Sequence, residues 1–291
     1  MKPIIQPEKQ KFFIVLVAAL VSFLGLQTAN QALLAYQIQS FFLISLYVYL
    51  FLVFLASFIF DLHLKKAGAW HALEERFGYM LDVNHWMNYQ NYLILPGIIF
   101  WSAIALMFLN PFDLILGQGI ILTATLGLTI AFWYLKTVFY AHKQARAGTL
   151  QVIFLVKLLA TYLAYAAAFG LSRYFGYNAL FFAILIFGVT FLLLYQAFFQ
   201  HHYISLGTVG LILLSALAIA LIGYYMFSIW NVNYFSGALA VAVFYNTIWG
   251  LMHHKLIEKN LSRDMVYEYL TVLFVVLVII FSTTNFSERV L

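Results

Sequence analysis

The chain has 291 residues, of which 65% are hydrophobic and 19% aromatic, while only 9% are Asp, Glu, Lys or Arg. Soluble domains run at about 45–50% apolar and about 25% charged, so a mean hydropathy of +0.95 excludes a soluble enzyme, a nucleic-acid-binding domain or a disordered chain as a description of the whole. The absence of cysteine excludes disulfides, thiolate metal sites, iron–sulfur clusters and a cysteine nucleophile, and leaves any metal to nitrogen and oxygen ligands.

A helix needs about 20 mostly apolar residues to cross the hydrocarbon. Nine such runs are predicted in chain order, at 12–31, 40–60, 93–110, 114–137, 150–171, 179–199, 205–228, 234–252 and 267–284. They are continuous rather than alternating, which argues against the strands of a membrane barrel. The expected fold is all-α, a polytopic helical bundle of about nine spans forming a single transmembrane domain over residues 1–291. The first run follows Lys2, Lys9 and Lys11 and is too long for the apolar part of a secretion signal, so it reads as a retained helix. Pro96 falls near a helix end, and Gly117 and Gly119 suit close helix packing near the outer end of the fourth span.

Positive loops stay in the cytoplasm. With the N-terminus inside and the C-terminus outside, the inner segments hold Lys2, Lys9, Lys11, Lys65, Lys66, Arg76, Lys143, Arg146, Lys255, Lys259 and Arg263, and the outer ones only Arg173 and Arg289. Lys136 and Lys157 lie inside the fourth and fifth spans but within about two turns of their inner ends, in snorkelling reach of the headgroups. Topology in the cell (cytoplasmic) membrane therefore accounts for the net charge of +5 without a nucleic-acid partner. Trp70, Leu73, Phe77 and Leu81 recur at helical spacing and predict a cytoplasmic interfacial helix near 67–85, and a second cytoplasmic segment is expected near 253–267.

All eight histidines fall at the inner boundary. The helices running inward deliver His63, His142, the pair His201–His202 and the pair His253–His254 near their ends. Tyr134, Tyr195 and Tyr245 each precede a histidine by about two helical turns, a weak repeat that lets each of these helices offer one tyrosine and one histidine to a common space. Carboxylates crowd the same side: Asp61, Glu74, Glu75, Asp82, Glu258, Asp264 and Glu268. Imidazole with carboxylate is the ligand set expected for iron, manganese or zinc where thiolate is absent. Adjacent histidines on an α-helix point about 100° apart, so only one of each pair is expected to face the bundle.

The candidate metal set is therefore His63, His142, His201, His202, His253 and His254, with Glu74, Glu75 and Asp264 as carboxylate ligands or orienters. Tyr134, Tyr195 and Tyr245 would line the route of an apolar substrate. The layout resembles that of the integral-membrane lipid desaturases and hydroxylases, whose histidine clusters bind two metal ions at the cytoplasmic face. The resemblance stops at layout, because the HxxxH and HxxHH boxes of those enzymes do not occur here.

The function expected is metal-dependent oxidative chemistry on a lipid or isoprenoid substrate. A transition metal is the expected cofactor, iron first, in a mononuclear or dinuclear site, with an electron-donor protein as a compatible partner. A haem b electron-transfer protein is the alternative, since paired histidines from facing helices can ligate haem iron. A transporter of an apolar solute and a structural subunit of a larger membrane complex are further readings. The bilayer midplane offers only polar groups such as Gln27, Asn30, Thr123 and Thr125, so no proton or cation path is expected. Walker, HExxH and GxSxG motifs do not occur, and the last span has no lysine for a retinal Schiff base.

Overall fold

The computed structural model describes residues 7–61, 83–110, 113–140, 147–200, 203–230 and 233–284. Every regular element among them is helical: α1 (Pro7–Leu34), α2 (Ile38–Asp61), α3 (Val83–Leu109), α4 (Leu114–Tyr140), α5 (Ala147–Tyr174), α6 (Ala179–Gln200), α7 (Leu206–Ile229), α8 (Tyr234–Met252), a π turn (His253–Glu258) and α9 (Arg263–Thr283). Eight of the α-helices are long and apolar enough to cross a membrane, and α3 contributes a shorter apolar stretch, Leu93–Leu109. The chain is a polytopic helical bundle built for a membrane.

The polar residues between spans start and stop these helices. Asp113, Asn178, Ser205, Asn233 and Ser262 each turn a side-chain oxygen onto a backbone N–H of the helix that follows, those of Leu116, Phe181, Thr208, Phe235 and Met265. Such caps satisfy donors that have no partner within the helix. At the other end, α5 closes on Gly176 at φ +66°. The Tyr177 N–H bonds to the Ser172 carbonyl at 2.8 Å and the Gly176 N–H to that of Arg173 at 3.2 Å, the paired closure of a Schellman turn. A Cβ on Gly176 meets no atom within 4 Å, so its substitution acts through the backbone alone. Gly176→Ala is expected to destabilise the protein by about 1 kcal/mol, the cost of a left-handed alanine; an unchanged thermal midpoint would contradict it.

Contacts among the helices group into two units, Met1–Val156 and Lys157–Leu291. In the first, α1 packs on α2 and α4, and α4 on α3. Trp133 meets Lys11 and Phe12 at one end of α1, and Gln118 meets Gln27 farther along, so α1 and α4 run antiparallel. The Gln27 and Gln118 amides exchange hydrogen bonds of 2.5 and 3.1 Å, joining two helices where lipid offers no alternative partner. In the second unit, α6 packs on α7, and α8 on α7 and α9. The surface of α9 is open: Ile280 is its single buried residue, while Tyr267, Leu270, Phe274 and Val278 are exposed apolar groups suited to lipid.

Several expectations are corrected. Pro96 lies inside α3, which begins ten residues before the apolar run; a bundle tolerates such a proline where neighbours satisfy the freed carbonyl. The last helix begins at Arg263 rather than near 267, because Ser262 caps it and Asp264 sits in its first turn. Gly119 has nothing near the position of a Cβ and Gly117 only ordinary contact with Asn30, so neither marks close packing. Lys157 is 6% exposed, covered by the protein rather than reaching out of it. The interfacial helix near 67–85 lies outside the described residues, except for the first residues of α3.

Candidate metal centre

The site is built where α8 ends. Gly250 leaves the α8 backbone bare, and the Tyr269 ring from α9 lies so close that a Cβ at Gly250 would stand 2.5 Å from its Cζ. Three residues later the α-helix widens into the π turn His253–Glu258. The Lys259 N–H reaches back to the His254 carbonyl, with Lys259 left-handed at φ 55°, and the Asn260 N–H bonds to the same oxygen at 3.1 Å.

The widened turn decides which side chains meet. In an α-helix a residue five positions on is rotated by about 140° from the first, so Glu258 would lie away from His253. Hydrogen bonding to i+5 instead brings both i+4 and i+5 beneath the start of the turn. Glu258 consequently faces two adjacent imidazoles, one carboxylate oxygen to each: Oε2 lies 2.6 Å from His254 Nδ1 and Oε1 lies 3.5 Å from His253 Nδ1. Their three ligating atoms fall within 4.8 Å of one another.

Neighbours fix the two rings. A carboxylate only accepts, so His254 Nδ1 carries the hydrogen toward Glu258, and Nε2 accepts from the Tyr269 hydroxyl at 3.2 Å. His253 packs against Trp249, ring centroids 5.5 Å apart, and Lys157 Nζ lies 5.7 Å from the same indole. The imidazoles are 27% and 21% exposed and the Glu258 side chain 45%. The cluster is reachable from outside and supported from within.

Of the residues expected from the sequence, His253 and His254 come together here. Asp264 is exposed in the first turn of α9 and is not one of the three. His63, His142, His201, His202, Glu74 and Glu75 lie outside the described residues. The tyrosines occupy different settings. Tyr134 is half-buried on α4, in the first unit. Tyr195 belongs to an aromatic ladder along α6, Phe187–Phe191–Tyr195–Phe199, with successive centroids 6.4, 6.0 and 6.3 Å apart. Tyr245 is buried, edge-on to Tyr165 at 6.4 Å.

Two members of the site escaped the sequence reading. Glu258 stands at i+4 from His254, a spacing that could have singled it out among the carboxylates. Tyr269 has no such signal, because it arrives from another helix through the gap at Gly250. No protein-family model, no curated protein and no solved structure matches the chain.

Proposed function

We propose that this chain is an integral-membrane metalloprotein, that His253, His254 and Glu258 hold a divalent transition metal at the end of α8, iron first, and that the metal serves oxidative chemistry on a lipid or isoprenoid substrate. The observation that carries the reading is a single carboxylate set between two imidazoles. Ligands bonded to one metal at about 2.1 Å stand roughly 3–3.5 Å apart. The 3.5 Å pair already meets that spacing, and the 2.6 Å pair meets it by a small rotation of Glu258. Binding at His254 Nδ1 would move that ring's hydrogen to Nε2, which would then donate to the Tyr269 hydroxyl, so the imidazole stays neutral. Two histidines with one carboxylate leave coordination positions open, the ligand pattern of non-haem iron oxygenases.

The described residues supply the surroundings that such a site needs. Tyr269 holds His254 from behind, the role that outer hydrogen bonds play at metal centres. Trp249 fixes His253 by packing. The partly exposed cluster adjoins α9, whose open apolar surface gives a lipid-borne substrate a lateral approach. Haem is less favoured, because its axial histidines come from opposed sides of the ring, whereas these two share one turn and one carboxylate.

The test is elemental analysis of the detergent-purified protein, together with lipid mass spectrometry of cells carrying it. Co-purified iron, or another first-row metal, and a lipid species altered by gain of oxygen or loss of hydrogen support both parts of the reading. No transition metal above the background of a metal-free control protein removes the metal. Bound metal with an unchanged lipid profile removes the oxidative chemistry and leaves a structural metal.

A further inference from the structure

The open surface of α9 divides into two stripes that carry opposite charge at the same end. Tyr269, lying against Gly250, and the buried Ile280 mark the side of α9 that packs on α8. Successive residues on an α-helix step by about 100°, which places the remaining side chains around these two. Arg263, Tyr267, Leu270 and Phe274 share an arc of about 60°, and all four are exposed. A second exposed stripe follows farther round, where Val272 and Val275 are headed by Asp264 and Glu268. From Arg263 to Phe274 the first stripe runs for about 16 Å. That is the depth of one leaflet in a hydrocarbon layer about 30 Å thick.

Arginine at a membrane boundary is ordinary, since positive residues set topology, and an apolar helix face by itself accepts any lipid tail. The opposed heads of the two stripes add a choice. An anionic headgroup is attracted above Tyr267, Leu270 and Phe274 and repelled above Val272 and Val275. The described residues give Arg263 no ion-pair partner, so its guanidinium can grip an anionic oxygen pair with two parallel N–H donors. Lys259, exposed in the loop before α9, adds positive charge at the same boundary.

We propose that the Arg263 stripe of α9 seats an anionic phospholipid of the surrounding bilayer, its phosphate on the guanidinium and one acyl chain laid along Tyr267, Leu270 and Phe274. The seat itself needs no metal. It also names the substrate class of the metal centre proposed above, a step that rests on that reading: Arg263 follows Glu258 by five residues, so the head of the seated lipid is held at the boundary where the two histidines and Glu258 lie.

The test places the full chain in liposomes of equal phosphatidylglycerol and phosphatidylcholine, with a trace of one or the other carrying a photoactivatable diazirine in its acyl chain. Peptide mass spectrometry then reads the labelled positions of α9. Tyr267, Leu270 and Phe274 are expected to take phosphatidylglycerol over phosphatidylcholine by about fivefold, the effect of one cation near a membrane surface. Val272 and Val275 are expected to show no such preference. Arg263→Gln is expected to bring the first ratio to equality and Glu268→Gln to leave it in place; both side chains are exposed, so neither variant removes a packed group. Equal labelling in the wild type overturns the seat, and so does a preference that survives Arg263→Gln. Excess glycerol phosphate is expected to leave the labelling unchanged, and displacement by it would assign Arg263 to a soluble anion instead of a lipid.

Two further arms separate the seat from the metal centre. Protein stripped of metal by a chelator is expected to label as the wild type does, and a preference lost on stripping overturns a seat that needs no metal. Lipids altered by gain of oxygen or loss of hydrogen in cells carrying the protein are expected to be anionic phospholipids and to diminish with Arg263→Gln. Alteration confined to neutral lipids overturns the substrate assignment while the labelling preference stands. An absence of altered lipid removes the oxidative reading and the substrate assignment with it.

Discussion

Glu258→Ala is expected to strip transition metal from the purified protein at least as completely as His253→Ala or His254→Ala. Each histidine would supply one ligand, whereas Glu258 is the group that both imidazoles face, at 3.5 and 2.6 Å. Loss of an outer hydrogen bond at a metal site costs about 10–100-fold in affinity, so loss of the shared carboxylate should cost more than about a hundredfold. Titration of the variant against a competing chelator reads this directly. Asp264→Ala is the control: that carboxylate is exposed on the next helix and should leave metal content unchanged. An ordinary surface ion pair predicts something different. A half-exposed pair of that kind contributes at most about 1 kcal/mol, so Glu258→Ala would then shift the thermal midpoint slightly and leave metal content where it was. Metal retained by Glu258→Ala would exclude the trio as the binding site.

How far the sequence disclosed this arrangement follows the range of each signal. Among the described residues the existence of each span was legible, because an apolar run of span length has few other solutions in a chain this poor in charge. Helix ends were less so. Hydropathy placed the start of the last span near 267, since Arg263 and Asp264 are charged, yet the Ser262 cap extends the helix over both. His253 and His254 were legible as candidates by position, but their joint use of one carboxylate was not. That depends on the π turn, which no periodicity in the residues around it announces. Tyr269 and the buried pair Tyr165 and Thr190, hydroxyl to hydroxyl at 2.6 Å between α5 and α6, are a third kind of feature. These residues are unremarkable in composition, and they acquire meaning from meeting across helices, which a hydropathy average over each span conceals.

The same distinction between local and tertiary information separates two glycines that look alike in the sequence. Gly119→Ala is expected to be neutral or to stabilise α4 by up to about 1 kcal/mol, the difference in helix propensity, because nothing lies within 4 Å of its Cβ position. Gly250→Ala is expected to have the opposite sign. Its Cβ would overlap the Tyr269 ring, 2.5 Å from Cζ and 2.7 Å from the hydroxyl oxygen, and overpacking of this kind costs about 1–3 kcal/mol. The ring is anchored on α9 and aimed at His254, so yielding to the methyl group also breaks the 3.2 Å bond to Nε2. A double-mutant cycle isolates the contact. In a Tyr269→Ala background the cost of Gly250→Ala should fall below about 0.5 kcal/mol, leaving a coupling of roughly 1–2.5 kcal/mol between the two positions. Additive effects in chemical unfolding would show that α8 and α9 do not meet at Gly250. Tyr269 would then lose its place behind His254, and the site would lose the support that distinguishes a held imidazole from a mobile one.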